Sequence, residues 1–229
     1  MLTQTMSTSG SSRSMGHGAR AVALARAQDT DSPIEMIGAP MLFARNTEIY
    51  GENEPAEYLY KVISGTVRTY KVLNDGRRQI GAFYISGDVF GLEFGDKHAF
   101  SAESIADSKI LVIKRSAVIG LSKRDNEVAR ELWALTGREL QRVQDHIMLL
   151  VKTAQERVAG FLLEMAARVP ASNAVELPMS RQDIADYLGL TIETVSRTLT
   201  QLENNATITV PSSRRIVLRN RAALSRLNA

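Results

Sequence analysis

Four side chains in one short segment could bind the edges of nucleic-acid bases. They lie at positions i, i+1, i+4 and i+5 of a predicted helix and share one face over its first turn and a half: Ile192, Glu193, Ser196 and Arg197. Arginine can donate to both major-groove acceptors of guanine, glutamate can accept from the amino group of cytosine, and isoleucine can contact the methyl group of thymine. Alternatively, Glu193 and Arg197 form an i, i+4 pair that merely stabilises an exposed helix by about 0.3–0.5 kcal/mol.

Such side chains need a helix that is held at a fixed angle, and the surrounding residues predict one. Ser180 and Thr191 are predicted to cap two successive helices over residues 181–188 and 192–204. The residues that let the two helices approach, turn and pack have the spacing of a helix-turn-helix: Ala185, Gly189 and Val195. The pattern predicts that the second helix enters the major groove of DNA.

A second set of polar and basic side chains is predicted to contact the phosphates of the DNA backbone. They lie near the helix N-termini or on a predicted hairpin after the second helix: Ser180, Arg181, Gln182, Thr191, Thr194, Arg214 and Arg215. Such contacts fix the register of a protein on DNA without reading its sequence. Residues 1–113 carry a net charge of −2 and residues 151–229 a net charge of +3, which favours a polyanion at the C-terminal end. A solvated basic surface is the alternative explanation.

The composition excludes several other kinds of chemistry. The 229 residues include no cysteine and three histidines, so disulfides, cysteine-ligated zinc, cysteinyl iron–sulfur clusters and thiol catalysis are ruled out. No apolar run approaches the ~20 residues that a membrane-spanning helix needs. The glycine patterns of nucleotide-binding loops and serine hydrolases are missing. We therefore expect a protein with no catalytic activity, no metal and no other cofactor.

The base-reading helix belongs to the last of four predicted regions. Residues 1–32 are expected to form an N-terminal tail with a short helical pattern, and residues 33–113 a β-roll. Residues 114–152 are expected to form a short helix and a dimerisation helix, and residues 153–229 a winged helix-turn-helix domain. Apolar runs separated by glycines, with Asp75-Gly76 as a hairpin turn, predict the roll. The tail carries three arginines before its first acidic residue, a feature that it shares with mitochondrial transit peptides.

The predicted long helix, over residues 125–152, carries two apolar stripes. The first steps by three and four residues as in a coiled coil and comprises Trp133, Thr136, Leu140, Val143, Ile147 and Leu150. The second comprises Val128, Leu132 and Leu135. One stripe suffices to pack a helix on its own domain, so two stripes favour an additional contact with a partner chain. The alternative is a helix buried within a single chain.

The order of a glycine-punctuated roll, a long helix and a C-terminal winged helix-turn-helix resembles the CRP/FNR superfamily of bacterial transcription regulators. The resemblance covers about residues 33–221, and the segment Glu193–Arg197 resembles the E-x-x-S-R signature of the FNR branch. Within the superfamily the chain is most similar to the FixK-type regulators of rhizobia. The resemblance implies an α+β fold with an N-terminal antiparallel β-roll, a long dimerisation helix and a C-terminal winged helix-turn-helix.

For function, the resemblance implies a homodimer that binds double-stranded DNA at a palindromic TTGA/TCAA-type operator. It also implies activation of transcription through RNA polymerase in the bacterial cytoplasm. The cyclic-AMP receptor protein has an arginine directly before the equivalent of Glu193, where this chain has Ile192, and this difference argues against that receptor's operator. Because activators and repressors share the fold, a repressor is an open alternative.

Two segments of the roll indicate whether a small molecule controls the protein. In nucleotide-binding members a G-E-L turn and a later arginine hold the cyclic phosphate, but the corresponding residues here are Gly91-Leu92-Glu93 and Phe100-Ser101. Without the arginine, no charge pairs with phosphate, so we expect a regulator without an effector that is controlled through its abundance. A cyclic-nucleotide-gated regulator is the alternative.

Histidine chemistry is less favoured. Haem ligation by His17 or His98 would resemble sensors of the same family, but we expect each to be an ordinary surface histidine. A cupin-like metal enzyme would need two or three histidines on neighbouring strands, and His98 is the only one within residues 33–113.

Overall fold

A computed structural model describes residues 32–168 and 173–228 of the chain. His17 and the short helix predicted over residues 19–27 lie outside the described residues. The described part begins with a 3-10 turn (Glu35–Ile37) and continues with strands as far as Lys114, then three helices, and then a unit of helices and short strands. None of its helices is both long enough and apolar enough to cross a bilayer.

Eight strands form a roll of two four-stranded antiparallel sheets. In chain order they are β1 (Ala39–Phe43), β2 (Glu48–Tyr50), β3 (Tyr58–Ser64), β4 (Thr66–Val72), β5 (Arg78–Ile85), β6 (Val89–Phe90), β7 (Ser101–Ser104) and β8 (Ser108–Lys114). One sheet has the order β1-β8-β3-β6 and the other the order β2-β7-β4-β5. Buried side chains such as Val62, Val67 and Ile110 fill the space between the sheets. The sequence patterns predicted β3, β4, β5 and β8, but the other four strands are short and show no clear alternation.

The turn between β4 and β5 is the predicted Asp75-Gly76 hairpin. Gly76 has a φ of 82°, in the left-handed region that glycine adopts without strain. The two strands pair from Val72 opposite Arg78 to Thr66 opposite Ile85. This hairpin carries two arginines that contact the C-terminal unit.

Three helices follow the roll: α1 (Arg115–Ser122), α2 (Asn126–Leu150) and α3 (Ala154–Arg168). The second predicted stripe of the long helix is confirmed, because Val128, Leu132 and Leu135 pack against Leu59 and Ile113 of the roll. Helix α2 is therefore anchored on the roll along one side for much of its length.

The C-terminal unit combines three helices with a small sheet. It contains β9 (Ala174–Glu176), α4 (Arg181–Leu188), α5 (Ile192–Asn204), β10 (Ile208–Ser212), β11 (Arg215–Leu218) and α6 (Arg221–Leu227). The strands lie in the order β10-β11-β9. Helices α4 and α5 begin and end where the sequence predicts. The core of this unit continues into the roll through Ile80 and Phe83 of β5, so that the roll and the unit share buried apolar contacts.

Candidate nucleic-acid interface

Helix α4 begins with a capping box made by Ser180 and Asp183. Asp183 N donates a hydrogen bond to Ser180 Oγ at 3.1 Å, and Ser180 N donates to Asp183 Oδ2 at 2.9 Å. These two bonds pair backbone groups that the start of a helix otherwise leaves without partners. The predicted cap is confirmed.

The turn between α4 and α5 sets the angle of the second helix. Gly189 ends α4 with φ 62° and ψ 39°, a left-handed conformation that costs energy for any residue with a Cβ. Thr191 then caps α5 by accepting a hydrogen bond from Thr194 N at 3.2 Å. Ala185 and Val195 are completely buried where the two helices meet. Helix α5 therefore has a defined orientation on α4.

The first turn and a half of α5 presents the four base-reading candidates to solvent. Ile192, Glu193, Ser196 and Arg197 are all exposed, and their spacing places them on one side of the helix. Neither Glu193 nor Arg197 takes part in an ion pair within the described residues, so the alternative of a simple stabilising pair has no support. Hydrogen bonds from its own backbone N–H and from the Thr191 hydroxyl lower the pKa of Glu193. Its carboxylate is thus available as an acceptor at neutral pH.

The predicted phosphate-contacting side chains differ in their exposure and in the partners that they already contact. Most of them are exposed: Ser180, Gln182, Thr191, Arg214 and Arg215. Gln182 Nε2 donates to Asp186 Oδ1 at 2.6 Å, while Arg215 Nε lies 3.4 Å from Glu176 Oε1. Thr194 is half-buried, and its hydroxyl lies 3.2 Å from that of Thr191.

Arg181 differs from the rest of this set. Its side chain is half-buried, and Nη1 is enclosed without a hydrogen-bond partner among the described residues. Burial lowers the pKa of this guanidinium. Arg181 would have to rotate outward before it could contact a phosphate.

The first stripe of α2 meets solvent. Trp133 is 80% exposed and Leu140 is 58% exposed. Thr136, Val143 and Ile147 are exposed as well, and Leu150 is half-buried. The side of α2 next to this row packs on the roll, and the row itself remains exposed, so it has the pattern of an interaction surface.

A cavity of about 360 Å³ lies between the roll and α2. Gly91, Glu93 and Phe100 line it from the roll, and Glu139 and His146 line it from α2. The segments that correspond to the nucleotide site of related proteins therefore do come together here. No lysine or arginine occurs among the described residues that line the cavity, and the two carboxylates would repel a phosphate.

His98 is buried, so the prediction of a surface histidine is wrong. The side chain is 1% exposed, and its ring stacks on that of Tyr50 with the ring centroids 3.5 Å apart. Burial lowers the pKa of His98, and the carboxylate of Glu93 opposes this shift. The strands of the roll bring aromatic rings together around His98. The residues next to His98 in the sequence, a glycine-rich segment, do not predict this buried aromatic environment.

No group of three His, Cys, Asp or Glu side chains within the described residues could hold a metal ion. The cupin-like alternative therefore finds no ligand cluster in this part of the chain.

A group of ion pairs between the helix-turn-helix and the roll is not predicted by any pattern in the sequence. Asp183 Oδ1 accepts hydrogen bonds from Arg68 and from Arg78, each at 2.6 Å, and Asp186 Oδ2 accepts one from Arg78 Nε at 2.8 Å. The separations along the chain are 105 to 115 residues, so no local pattern could have indicated them.

Comparisons with known proteins agree with this architecture. Two family models match the chain: a cyclic nucleotide-binding domain over residues 40–125 and a Crp-like helix-turn-helix domain over residues 156–227. The chain is 51% identical to the nitrogen fixation regulation protein FixK of Azorhizobium caulinodans, over 92% of this chain and 88% of that protein. It is 38% identical to the FixK protein of Rhizobium meliloti, over 90% of this chain and 98% of that protein.

A solved structure shows the same relationship. The structure of FixK2 from Bradyrhizobium japonicum matches with a TM-score of 0.81 and 52% identity, covering 84% of this chain and 98% of that one. The chain therefore belongs to the CRP/FNR family of DNA-binding transcription regulators.

Proposed function

We propose that the protein is a homodimeric activator that binds a palindromic TTGA/TCAA-type operator, recruits RNA polymerase and needs no small-molecule effector. The observation that carries this proposal is the exposed cluster of Ile192, Glu193, Ser196 and Arg197 at the start of a helix whose other side is buried. Such a helix start reaches base edges when it lies in the major groove. The function is binding, and we assign no catalytic residue.

Each member of the cluster suits a different part of a half-site. Arg197 can donate two hydrogen bonds to guanine, and Glu193 can accept one from the cytosine amino group. The carboxylate also repels the acceptor edges of wrong bases and thereby adds specificity. Ile192 offers methyl contact to thymine, and Ser196 can donate to or accept from a neighbouring base. A TTGA half-site with its complement contains each of these partners.

The exposed stripe of α2 supports a dimer. Trp133, Leu140, Val143 and Ile147 are large apolar side chains on one side of a helix, and complete burial of such a side chain contributes about 1.5–3 kcal/mol. A second copy of the chain offers the same stripe, so a two-fold axis along α2 would bury both stripes at once. A two-fold dimer is matched by a palindromic operator.

The cavity at the roll supports regulation without a cyclic nucleotide. A cyclic phosphate is bound most strongly by charge-assisted hydrogen bonds, and Phe100 takes the place where related proteins have an arginine. The charged residues that line the cavity are Glu93 and Glu139. We therefore infer that the abundance of the protein sets its activity in the bacterial cytoplasm. By analogy with the FixK proteins, we assign it to the regulation of nitrogen fixation genes.

Selection of bound duplexes from random DNA tests this proposal. We expect two inverted TTGA-type half-sites with centres about 10–10.5 base pairs apart. Enrichment of single half-sites, or no enrichment, would overturn the dimeric operator. Calorimetry with cyclic AMP and cyclic GMP is expected to show no heat of binding. A nucleotide that binds and raises operator affinity would overturn the effector-free part.

A further inference from the structure

Arg68 and Arg78 join the roll to the first helix of the helix-turn-helix. Arg68 lies on β4 and Arg78 on β5, and both donate to the same oxygen of Asp183, each at 2.6 Å. Arg78 also donates through Nε to Asp186 Oδ2 at 2.8 Å. Since Asp183 and Asp186 belong to α4, one arginine from each strand of the hairpin holds this helix. We call these four residues the roll–α4 link.

The charges of the link are largely shielded from water. The side chain of Asp183 is 5% exposed and that of Arg68 is 13% exposed. Ion pairs in such surroundings are screened much less by salt than surface pairs are. Loss of Arg78 would remove the arginine partner of Asp186, whereas Asp183 would keep Arg68, which also pairs with Glu103. Both oxygens of Asp183 are occupied, because Oδ2 accepts the capping-box bonds of Ser180 and Oδ1 accepts the two arginines. One carboxylate therefore starts α4 and fastens it to the roll.

The other end of α4 is held as well. Tyr187 O accepts a hydrogen bond from His146 Nε2 at 2.8 Å, and the rings of the two residues stack with centroids 4.0 Å apart. Gln79 Nε2, on β5, lies 3.4 Å from the same carbonyl oxygen. The roll and α2 thus hold α4 at both ends, and the shared core of α4 and α5, which includes Ala185 and Val195, transmits this position to α5.

We propose that Arg78, together with Arg68, is a positioning residue for operator binding: the roll–α4 link keeps the recognition helix in its DNA-reading orientation while no small molecule is bound. This inference rests on the proposed function, because it concerns how a dimer meets two half-sites. Neither arginine needs to touch DNA. The link acts because a fixed α4 leaves only one orientation of α5 relative to the dimer helix.

A fixed orientation of α5 restricts the spacing of half-sites that the dimer can bind, whereas a general gain in folding stability does not. Half-sites on DNA are separated by a whole number of helical turns, and a rigid dimer binds well only where the spacing fits. A dimer with loosely attached reading domains spends part of its time in incompetent orientations, which lowers apparent affinity by the competent fraction. The same looseness lets it tolerate half-sites at a wrong spacing.

Three single substitutions test the link: Arg78→Gln and Asp186→Asn break it, and Arg77→Gln is the matched control. Arg77 is adjacent to Arg78 in the same hairpin, but its side chain is 77% exposed and pairs with Asp75. We expect both link variants to bind the selected operator about tenfold more weakly, as a competent fraction near one tenth would require. We also expect both to discriminate less against operators lengthened by one or two base pairs. Arg77→Gln should keep the wild-type discrimination.

Arg78→Gln and Asp186→Asn change the net charge in opposite directions. This difference separates a positioning role of the link from a general electrostatic effect on DNA binding. Loss of an arginine weakens and loss of an aspartate strengthens the attraction of any DNA, so an electrostatic effect alone would move the two link variants in opposite directions on every duplex. Positioning predicts weaker operator binding by both. The double variant Arg78→Gln/Asp186→Asn should be no worse than the worse single variant, because both remove one link. The inference would be overturned if operator affinity changed in opposite directions in the two link variants. It would also be overturned if they discriminated between operator spacings as well as Arg77→Gln does.

Two controls separate this inference from the proposed function. If wild type selects no palindrome, the proposed function fails, whereas a normal operator with unaffected link variants refutes the link alone.

Amide hydrogen exchange in free protein tests the link without DNA: α4 should exchange faster in Arg78→Gln than in Arg77→Gln, and equal rates would refute it. Should Arg78→Gln fail to fold by circular dichroism, Asp186→Asn decides in its place, since it removes only the pair with Arg78 and leaves both arginines on Asp183.

Discussion

Arg197 and Arg214 are both exposed arginines, but we expect their loss to have different consequences. Under the proposed function, Arg197→Ala removes a base contact worth ~1–3 kcal/mol of discrimination, and a dimer would make this contact twice. Specific binding should disappear in mobility-shift titrations, while weak, salt-sensitive association persists. Arg214→Ala should instead weaken binding to all sequences alike and lower the salt slope by about one. If Arg197→Ala kept its preference for the operator, the assigned reading head would be wrong.

Ile192 gives a test that depends on a methyl group. The side chain is 36% exposed at the first position of α5, where it can contact only the apolar part of a base. Replacing each thymine of the half-site by deoxyuridine should weaken binding by wild type at one position. Ile192→Ala should be indifferent to that replacement, because the contact is already lost. A wild-type protein that ignores every missing methyl would contradict this role.

Helix α2 has two sides that we expect to respond differently to charge. Leu140→Lys combined with Ile147→Lys places two cations in the exposed stripe, where burial against a partner would leave them unpaired. We expect monomers in light scattering, and weaker operator binding because the second half-site no longer adds to the first. Met148→Lys is the matched control, since Met148 is also exposed on α2 but lies outside the stripe. A dimer that survives the double substitution would refute the stripe as the interface.

The turn before α5 can be tested through its glycine. Gly189 has a φ of 62°, and an added Cβ would meet only Arg157 Nη1 at 3.5 Å and Leu150 Cδ2 at 3.7 Å. Space is therefore available, and the backbone conformation alone should make Gly189→Ala destabilising, by about 1–2 kcal/mol. Urea denaturation measures this change. Gly120→Ala, in the interior of α1 with no neighbour within 4 Å, should stabilise by about 0.5–1 kcal/mol. Equal effects of both substitutions would show that the left-handed turn carries no strain.

We expect the contact between α2 and α4 to make the stability of the whole molecule depend on pH. Burial lowers the pKa of His146 below its ordinary value of 6.5, although the hydrogen bond to the Tyr187 carbonyl opposes this shift. The folded protein therefore binds this proton less readily than the unfolded chain. The stabilisation is complete above the unfolded pKa and is lost as the pH falls through the lowered folded pKa.

His146→Phe isolates this titration, because a phenyl ring can stack on Tyr187 but cannot gain a proton. Between about pH 7.5 and about pH 5, the free energy of unfolding should fall more steeply for wild type than for His146→Phe, by at most about 1.4 kcal/mol per pH unit. Urea denaturation at each pH gives both curves. Parallel curves would mean that His146 does not couple the fold to pH.

The helix-turn-helix could be predicted closely because its determinants are local. A cap, a left-handed glycine and an apolar stripe each act within a few residues, so Ser180, Gly189 and Thr191 were enough to place both ends of α4 and the start of α5. The strands were predicted less completely. Strands β2 and β6 have three and two residues, and only pairing with distant strands makes such short segments extended.

By itself, the sequence determined the helix-turn-helix and the two stripes of α2, because each depends on residue type and short-range spacing. Tertiary structure alone decided that His98 is enclosed by aromatic rings and that Asp183 has two arginines as partners. Those contacts join residues far apart in the chain. The Asp183 contacts exist because β5 packs against the helices of the C-terminal unit, and the His98 contacts exist because the strands of the roll gather aromatic rings in its core. No local preference of a histidine or an aspartate selects such partners.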